Sequence, residues 1–146
     1  MVGAKGGLHF YDDSKGTNVG STVAALAGLS GTALEPGARV VLIAGGEGKA
    51  QDFSPLKQAV KNAARAVVLI GRDAQLIEDA LQGASVPVLR AGSMEEAVVL
   101  ARSAARSGDA VLLSPACASF DMFRNYGHRG EVFREAVKRL TDAAAR

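Results

Sequence analysis

Reactive side chains are scarce in this chain. Its 146 residues include one cysteine, Cys117, and two histidines, His9 and His128, far apart in sequence. A single cysteine excludes an intrachain disulfide and a cysteine-based zinc site, and two distant histidines argue against a His-rich metal site. No apolar run has the length of a membrane span. The opening MVGAKGG lacks the apolar stretch of a signal peptide. An excess of one charge is also missing: 17 Lys and Arg face 15 Asp and Glu, for a net charge of +2. The basic residues are scattered, whereas a nucleic-acid partner would want them clustered on one face. Only 22% of residues are charged and 48% are hydrophobic, so disorder by composition is excluded. There is no internal repeat. The expectation is one soluble, cytoplasmic domain with a real hydrophobic core.

What is present alternates short apolar runs with helical stretches. Strands are expected at Leu8–Tyr11, Arg39–Ile43, Ala66–Ile70, Val86–Leu89 and Ala110–Leu113. Arg39–Ile43 and Ala66–Ile70 read as strands buried on both faces, and Pro87 marks Val86–Leu89 as an edge strand or a strand start. Helices are expected over about Val19–Leu29, capped by Thr17 or Asn18, and from Ser54-Pro55 to about Ala64, with Ser54 as cap. Others should cover about Ala74–Leu81, the capping box Ser93-Met94-Glu95-Glu96 to about Arg106, and about Gly130–Ala144. Asp121 is placed as the cap of a further short helix. Five strands alternating with helices predict a doubly wound α/β domain, with a mostly parallel sheet and helices on both faces. In such sheets ligands bind beyond the carboxyl ends of the strands. The polar and small-residue loops Asp12–Asn18, Gly45–Lys49, Gly71–Asp73 and Ser114–Ser119 all fall at that edge.

Each loop carries a functional reading beside a plainer one. Gly45-Gly46-Glu47-Gly48-Lys49 resembles a P-loop only superficially, because Ile43 and Ala50 stand where that motif needs glycine and a hydroxyl. The loop can still present Lys49 and backbone N–H groups to an anion, although a plain turn with a solvated lysine is slightly favoured. Asp12–Asn18 places two carboxylates, a lysine, two hydroxyls and an amide at a helix start, more than a cap requires, and reads as an anion site. In Ser114–Ser119 the small side chains let backbone approach a ligand, and Ser119 can donate to a carboxylate. A nucleophilic role is disfavoured, since the Gly-x-Ser-x-Gly elbow is absent, and Cys117 reads as a buried hydrophobe. His9 reads as core or edge packing and His128 as a surface turn. Arg124 and Arg129 can bind an anion, but single arginines are usually solvated.

Taken in order, these segments resemble a known family. Asp13-Ser14-Lys15-Gly16-Thr17-Asn18, then Gly45-Gly46-x-Gly-Lys49 with Asp52-Phe53, then Leu113–Ser119 with Asp121 and Phe123, then Arg129-Gly130-x-x-Phe133 resemble the C-terminal domain of the Mur ligases. The resemblance is to the branch that adds D-glutamate to UDP-N-acetylmuramoyl-L-alanine in peptidoglycan synthesis. Sister Mur and folylpolyglutamate-type ligases carry an Asp-x-Tyr-x-His-x-Pro type segment where this chain has Asp13–Asn18. Residues 1–6 are read as a non-native or linker start and 7–146 as the domain.

The resemblance implies a Rossmann-like fold and an ATP-dependent, amide-forming reaction through an acyl phosphate. It implies that ATP and Mg2+ serve the full-length enzyme, and that the UDP-binding and central ATPase domains lie outside this chain. The chain alone is therefore expected to be inactive, with no cofactor tightly bound. By the same resemblance Thr17, Lys49, Ser119 and the backbone of Phe120 meet the D-glutamate carboxylates, and the Tyr126 ring packs on the substrate, where the family has phenylalanine. Asp13 contacts the ribose, and Lys15 lies near the phosphates and neutralises charge in the transition state. Gly16 stands where alanine is usual, and MVGAKGG replaces a segment that holds a His-Arg pair near the adenosine. The implied partners are D-glutamate, ATP, UDP-N-acetylmuramoyl-L-alanine and the other two domains, with no nucleic acid and no membrane. The rivals are another amino-acid ligase of the superfamily, a stand-alone Rossmann-like small-molecule binding module, and a structural domain with no ligand site.

Overall fold

A computed structural model of the chain describes residues 3–5, 7–13, 17–30, 36–46, 51–117 and 125–140. Its elements run β1 (Gly3–Lys5), β2 (Leu8–Asp12), α1 (Val19–Gly28), β3 (Val40–Gly45), α2 (Ser54–Ala63), β4 (Ala64–Ile70), α3 (Ala74–Ala80), β5 (Val88–Arg90), α4 (Met94–Ala104), β6 (Ala110–Leu113) and α5 (Tyr126–Arg139). The strands form one six-stranded sheet in the order β1-β2-β6-β3-β4-β5. Only β1 is antiparallel, paired to β2; every other pair is parallel.

The burial pattern explains this order. All six residues of β3 are buried, and so are all four of β6, as expected of central strands covered on both faces. Successive side chains alternate between faces. Val40, Leu42 and Ala44 pack with α1, α2 and α3 through Leu26, Leu56, Val60 and Ile77. Val41 and Ile43 pack on the other face with α4 and α5 through Met94, Val98, Phe133 and Val137. Each fully buried side chain of this size contributes about 1.5–3 kcal/mol relative to exposure. The doubly wound α/β architecture is therefore present, with three helices on one face and two on the other.

Several expectations change at the level of single elements. The sheet has a sixth strand, because Gly3–Lys5 folds back on Leu8–Asp12 as a hairpin. Helix α5 begins at Tyr126 and not at Gly130, because Asn125 accepts a hydrogen bond from the His128 N–H at 2.8 Å and caps it there. His128 accordingly lies in the first turn of a helix and not in a surface turn. Ser54 is the first residue of α2 and not its cap; the cap position is Phe53, which makes no side-chain cap bond, and Asp52 Oδ1 just before it accepts from the Ser54 N–H at 2.9 Å. His9 is exposed, because its neighbours Leu8 and Phe10 take the side of β2 that faces α4 and α5. Asn18 caps α1 through the Ser21 N–H, and Ser93 caps α4 through the Glu96 N–H, as the sequence predicts. Strand β5 is an edge strand, as Pro87 suggests. Residues 118–124 and 141–146, which hold Asp121, Arg124 and Ala144, lie outside the described residues.

Candidate functional site

Strand β6 sits between β2 and β3. From the carboxyl ends of β2 and β3 the chain passes to α1 and α2, on one face of the sheet; from the end of β6 it passes to α5, on the other. The connections diverge to opposite faces at this point, the kind of switch point beyond the carboxyl strand ends where α/β sheets bind ligands.

The segment after β6 is held with unusual completeness. Four successive carbonyls each accept a hydrogen bond from a different part of the fold. The Ser114 carbonyl takes the Thr22 hydroxyl of α1 at 3.1 Å, and that of Pro115 takes the Gly45 N–H of β3 at 2.9 Å. The Ala116 carbonyl takes Gln51 Nε2 at 2.7 Å, and that of Cys117 takes Arg129 Nη1 of α5 at 3.0 Å. Ala116 has φ 63°, in the left-handed region that a non-glycine residue adopts at a cost. Ser114, Ala116, Cys117 and Arg129 are all buried. A buried carbonyl without a donor costs about 1–3 kcal/mol, so this network locks the path of the segment.

The neighbouring loops join the same framework. The Asp13 N–H donates to Leu113 O at 2.7 Å, extending the β2–β6 ladder, and its Oδ2 accepts from Ser114 Oγ at 2.7 Å. Ser114 Oγ also lies 3.0 Å from Thr22 Oγ1. Asp12 pairs with Arg134 of α5 at 2.6 Å. Gly45 has φ 123°, and a Cβ there would lie 1.9 Å from the Ile70 carbonyl oxygen, so only glycine fits between β3 and β4. The next carbonyl, that of Gly46, accepts the Asp73 N–H at 3.0 Å and ties the loops after β3 and β4 together. The Ser54 backbone N–H and its hydroxyl hold the Asp52 carboxyl below the usual carboxylate range, against a small desolvation effect.

Of the residues picked out in the sequence, Asp13 and Ser114 are brought together, and Thr17 lies half-buried just before the Asn18 cap. Tyr126 opens α5. Lys15, Lys49, Ser119 and Phe120 lie outside the described residues. Arg129, expected to be solvated, is fully buried and bonded to backbone. Phe53 and Phe133, quoted in the motifs, are core residues, and Cys117 is buried as expected. Gln51 carried no signal in the sequence, because a lone glutamine in a loop is normally a solvated one. Among the described residues no group of three or more His, Cys, Asp and Glu side chains is placed to hold a metal ion, and no helix is long and apolar enough to cross a membrane.

At the opposite, amino edge of the sheet lies a second polar cluster. Asp109 is buried and accepts from the Arg39 and Arg106 N–H groups, each at 2.9 Å, and from Arg65 Nε at 2.5 Å and Nη2 at 3.1 Å. It joins the starts of β3, β4 and β6, at the opposite edge from the carboxyl strand ends, and its role is structural.

Comparison with known proteins bears on what the carboxyl edge of the sheet serves. Residues 1–117 match the family model described as Mur ligase, glutamate ligase domain. The chain is 62% identical over 139 residues, 95% of its length, to the UDP-N-acetylmuramoylalanine–D-glutamate ligase of Aromatoleum aromaticum. It is 59% identical over 98% of its length to the same-named protein of Albidiferax ferrireducens. It spans only 28% and 27% of the lengths of these two relatives. Among solved structures, it resembles a domain assigned to a UDP-N-acetylmuramate:L-alanyl-gamma-D-glutamyl-medo-diaminopimelate ligase of Haemophilus ducreyi. That likeness has a TM-score of 0.54 at 15% identity, covers 92% of this chain and 95% of that one, and concerns the fold. On the strength of the family match and these relatives, the chain belongs to the Mur ligase family and carries its glutamate ligase domain.

Proposed function

We propose that this chain is the C-terminal, D-glutamate-binding part of a ligase that joins D-glutamate to UDP-N-acetylmuramoyl-L-alanine. The observation that carries the reading is the identity of about six residues in ten, over nearly the whole chain, to relatives bearing that name. In the proposed reaction the alanyl carboxylate takes the γ-phosphoryl group of ATP, forming an acyl phosphate and releasing ADP. The D-glutamate amine then attacks the acyl carbon, and inorganic phosphate leaves from the tetrahedral intermediate. The demands on this domain are charge neutralisation and positioning. Thr17, Lys49, Ser119 and the Phe120 backbone take the two carboxylates, and the Tyr126 ring covers the substrate. Lys15 neutralises phosphate charge, and Asp13 contacts the ribose. The hydrogen bond from Ser114 Oγ supports this role for Asp13 by orienting its carboxylate at the carboxyl end of β2. Magnesium and the phosphate cradle belong to a central domain, so this chain closes over ATP and does not turn it over alone.

The test is a chimera of the Aromatoleum relative in which this chain replaces the matching segment. With UDP-N-acetylmuramoyl-L-alanine and ATP, phosphate release should depend on D-glutamate and not on L-lysine or diaminopimelate. A folded chimera that prefers another amino acid would defeat the proposal.

A further inference from the structure

Gln51 joins the start of α1 and the segment after β6 through its side-chain amide. It lies two residues after Lys49, in the connection from β3 to α2. Its Oε1 accepts the Val19 N–H at 3.0 Å, two residues beyond Thr17, at the first turn of α1. Its Nε2 donates to the Ala116 carbonyl at 2.7 Å, three residues before Ser119. One side-chain amide thus spans separations of 32 and 65 residues, and each loop it joins carries one of the groups assigned to the carboxylates. An amide suits the task, because it offers an acceptor and a donor from one planar group. Glutamate would present oxygen to the Ala116 carbonyl, and a hydrocarbon would satisfy neither partner. The Val19 N–H belongs to the first turn of α1, where N–H groups have no partner within the helix, so the bond also completes the helix start. Ala116 is held at positive φ, a conformation that persists only where its surroundings impose it.

We propose that Gln51 is a positioning residue that ties the start of α1 and the segment after β6 to the approach to α2 and thereby sets the affinity for the amino-acid substrate. This rests on the D-glutamate reading above. The two are separable, because the unsubstituted chimera tests that reading and the Gln51 variants test this one. Gln51→Met keeps the length of the side chain and removes both hydrogen bonds. Gln51→Glu keeps the acceptor for Val19 and opposes the Ala116 carbonyl.

In the chimera, Gln51→Met should raise the apparent KM for D-glutamate about tenfold, the effect expected from losing oriented hydrogen bonds. The KM for ATP should stay within about twofold, a split that general loosening of the fold would not give. Gln51→Glu should likewise raise the D-glutamate KM. In amide hydrogen exchange on this chain, the Val19 N–H should lose protection with Met and keep it with Glu. An unchanged D-glutamate KM in a chimera that uses D-glutamate would overturn the proposal. So would equal rises for D-glutamate and ATP, or Val19 protection that is indifferent to both substitutions.

Discussion

Arg129 reaches from the first turn of α5 to the carbonyl of Cys117, 3.0 Å from its Nη1, and both residues are fully buried. A guanidinium withdrawn from water for a backbone carbonyl is a costly arrangement, kept where the geometry it imposes is needed. It anchors the last described residue of the segment after β6 to the face of the sheet opposite α1 and α2.

Removing that anchor should be expensive. Arg129→Met removes the bond that ties the buried Cys117 carbonyl to α5, and the predicted loss of stability is about 2–4 kcal/mol. Arg129→Lys should recover little of it, because an ammonium on a flexible stem does not reproduce the planar fork. Urea unfolding monitored by circular dichroism measures both; midpoints that match the unsubstituted chain would show that the contact carries no weight.

Asp109 predicts an acid-dependent stability. Burial pushes its carboxyl up, but the Arg65 guanidinium and the N–H groups of Arg106 and Arg39 outweigh burial and hold it below the usual carboxylate range. A folded-state pKa lower than the unfolded value of about 3.9 adds stability that is fully present above that pH. The contribution is lost as pH falls through the folded value. Asp109→Asn should cost about 2–4 kcal/mol at neutral pH, since it leaves the Arg65 charge unpaired and sets an amide among donors. Denaturation midpoints measured from pH 7 to pH 2 should converge for the two proteins at the acid end. Parallel curves would assign the stabilisation elsewhere.

Gly45 leaves no room for any side chain. Gly45→Ala places a methyl group 1.9 Å from the carbonyl oxygen of Ile70, in the strand paired to β3. The obstacle is backbone within a parallel ladder, which cannot yield as a flexible side chain does. A loss of at least ~3 kcal/mol is expected, combining strain at positive φ with broken pairing. Thermal unfolding of the purified variant gives the answer, and a melting temperature within a few degrees of the parent would contradict it.

Lys49 tests the proposed carboxylate site directly. A charge-assisted hydrogen bond to a carboxylate contributes about 1.5–3 kcal/mol when well placed, so Lys49→Ala in the ligase chimera should weaken D-glutamate use roughly tenfold to a hundredfold. ATP dependence should change much less. Steady-state kinetics with unchanged D-glutamate affinity and turnover would remove Lys49 from the site, provided circular dichroism shows the variant folded.

Local chemistry was legible along the chain. The apolar runs Arg39–Ile43 and Ala66–Ile70 read as strands covered on both faces, and the structure places them in β3 (Val40–Gly45) and β4 (Ala64–Ile70), all but one of whose residues are buried. Ser93, and Asn18 as one of two candidates beside Thr17, were legible as caps because a cap is decided within a few residues. The order of the polar loops carried the family resemblance. The tertiary structure alone decided the rest. Gly3–Lys5 becomes a strand only because β2 is there to receive its hydrogen bonds, and three residues have no periodicity to read. The burial of Arg129, the reach of Gln51 across 65 residues and the convergence of Arg39, Arg65 and Arg106 on Asp109 depend on partners distant in the chain. Hydrophobic pattern and capping act over one or two turns. A buried polar side chain is defined by the groups that satisfy it, and those are chosen by how the sheet and its two layers of helices come together.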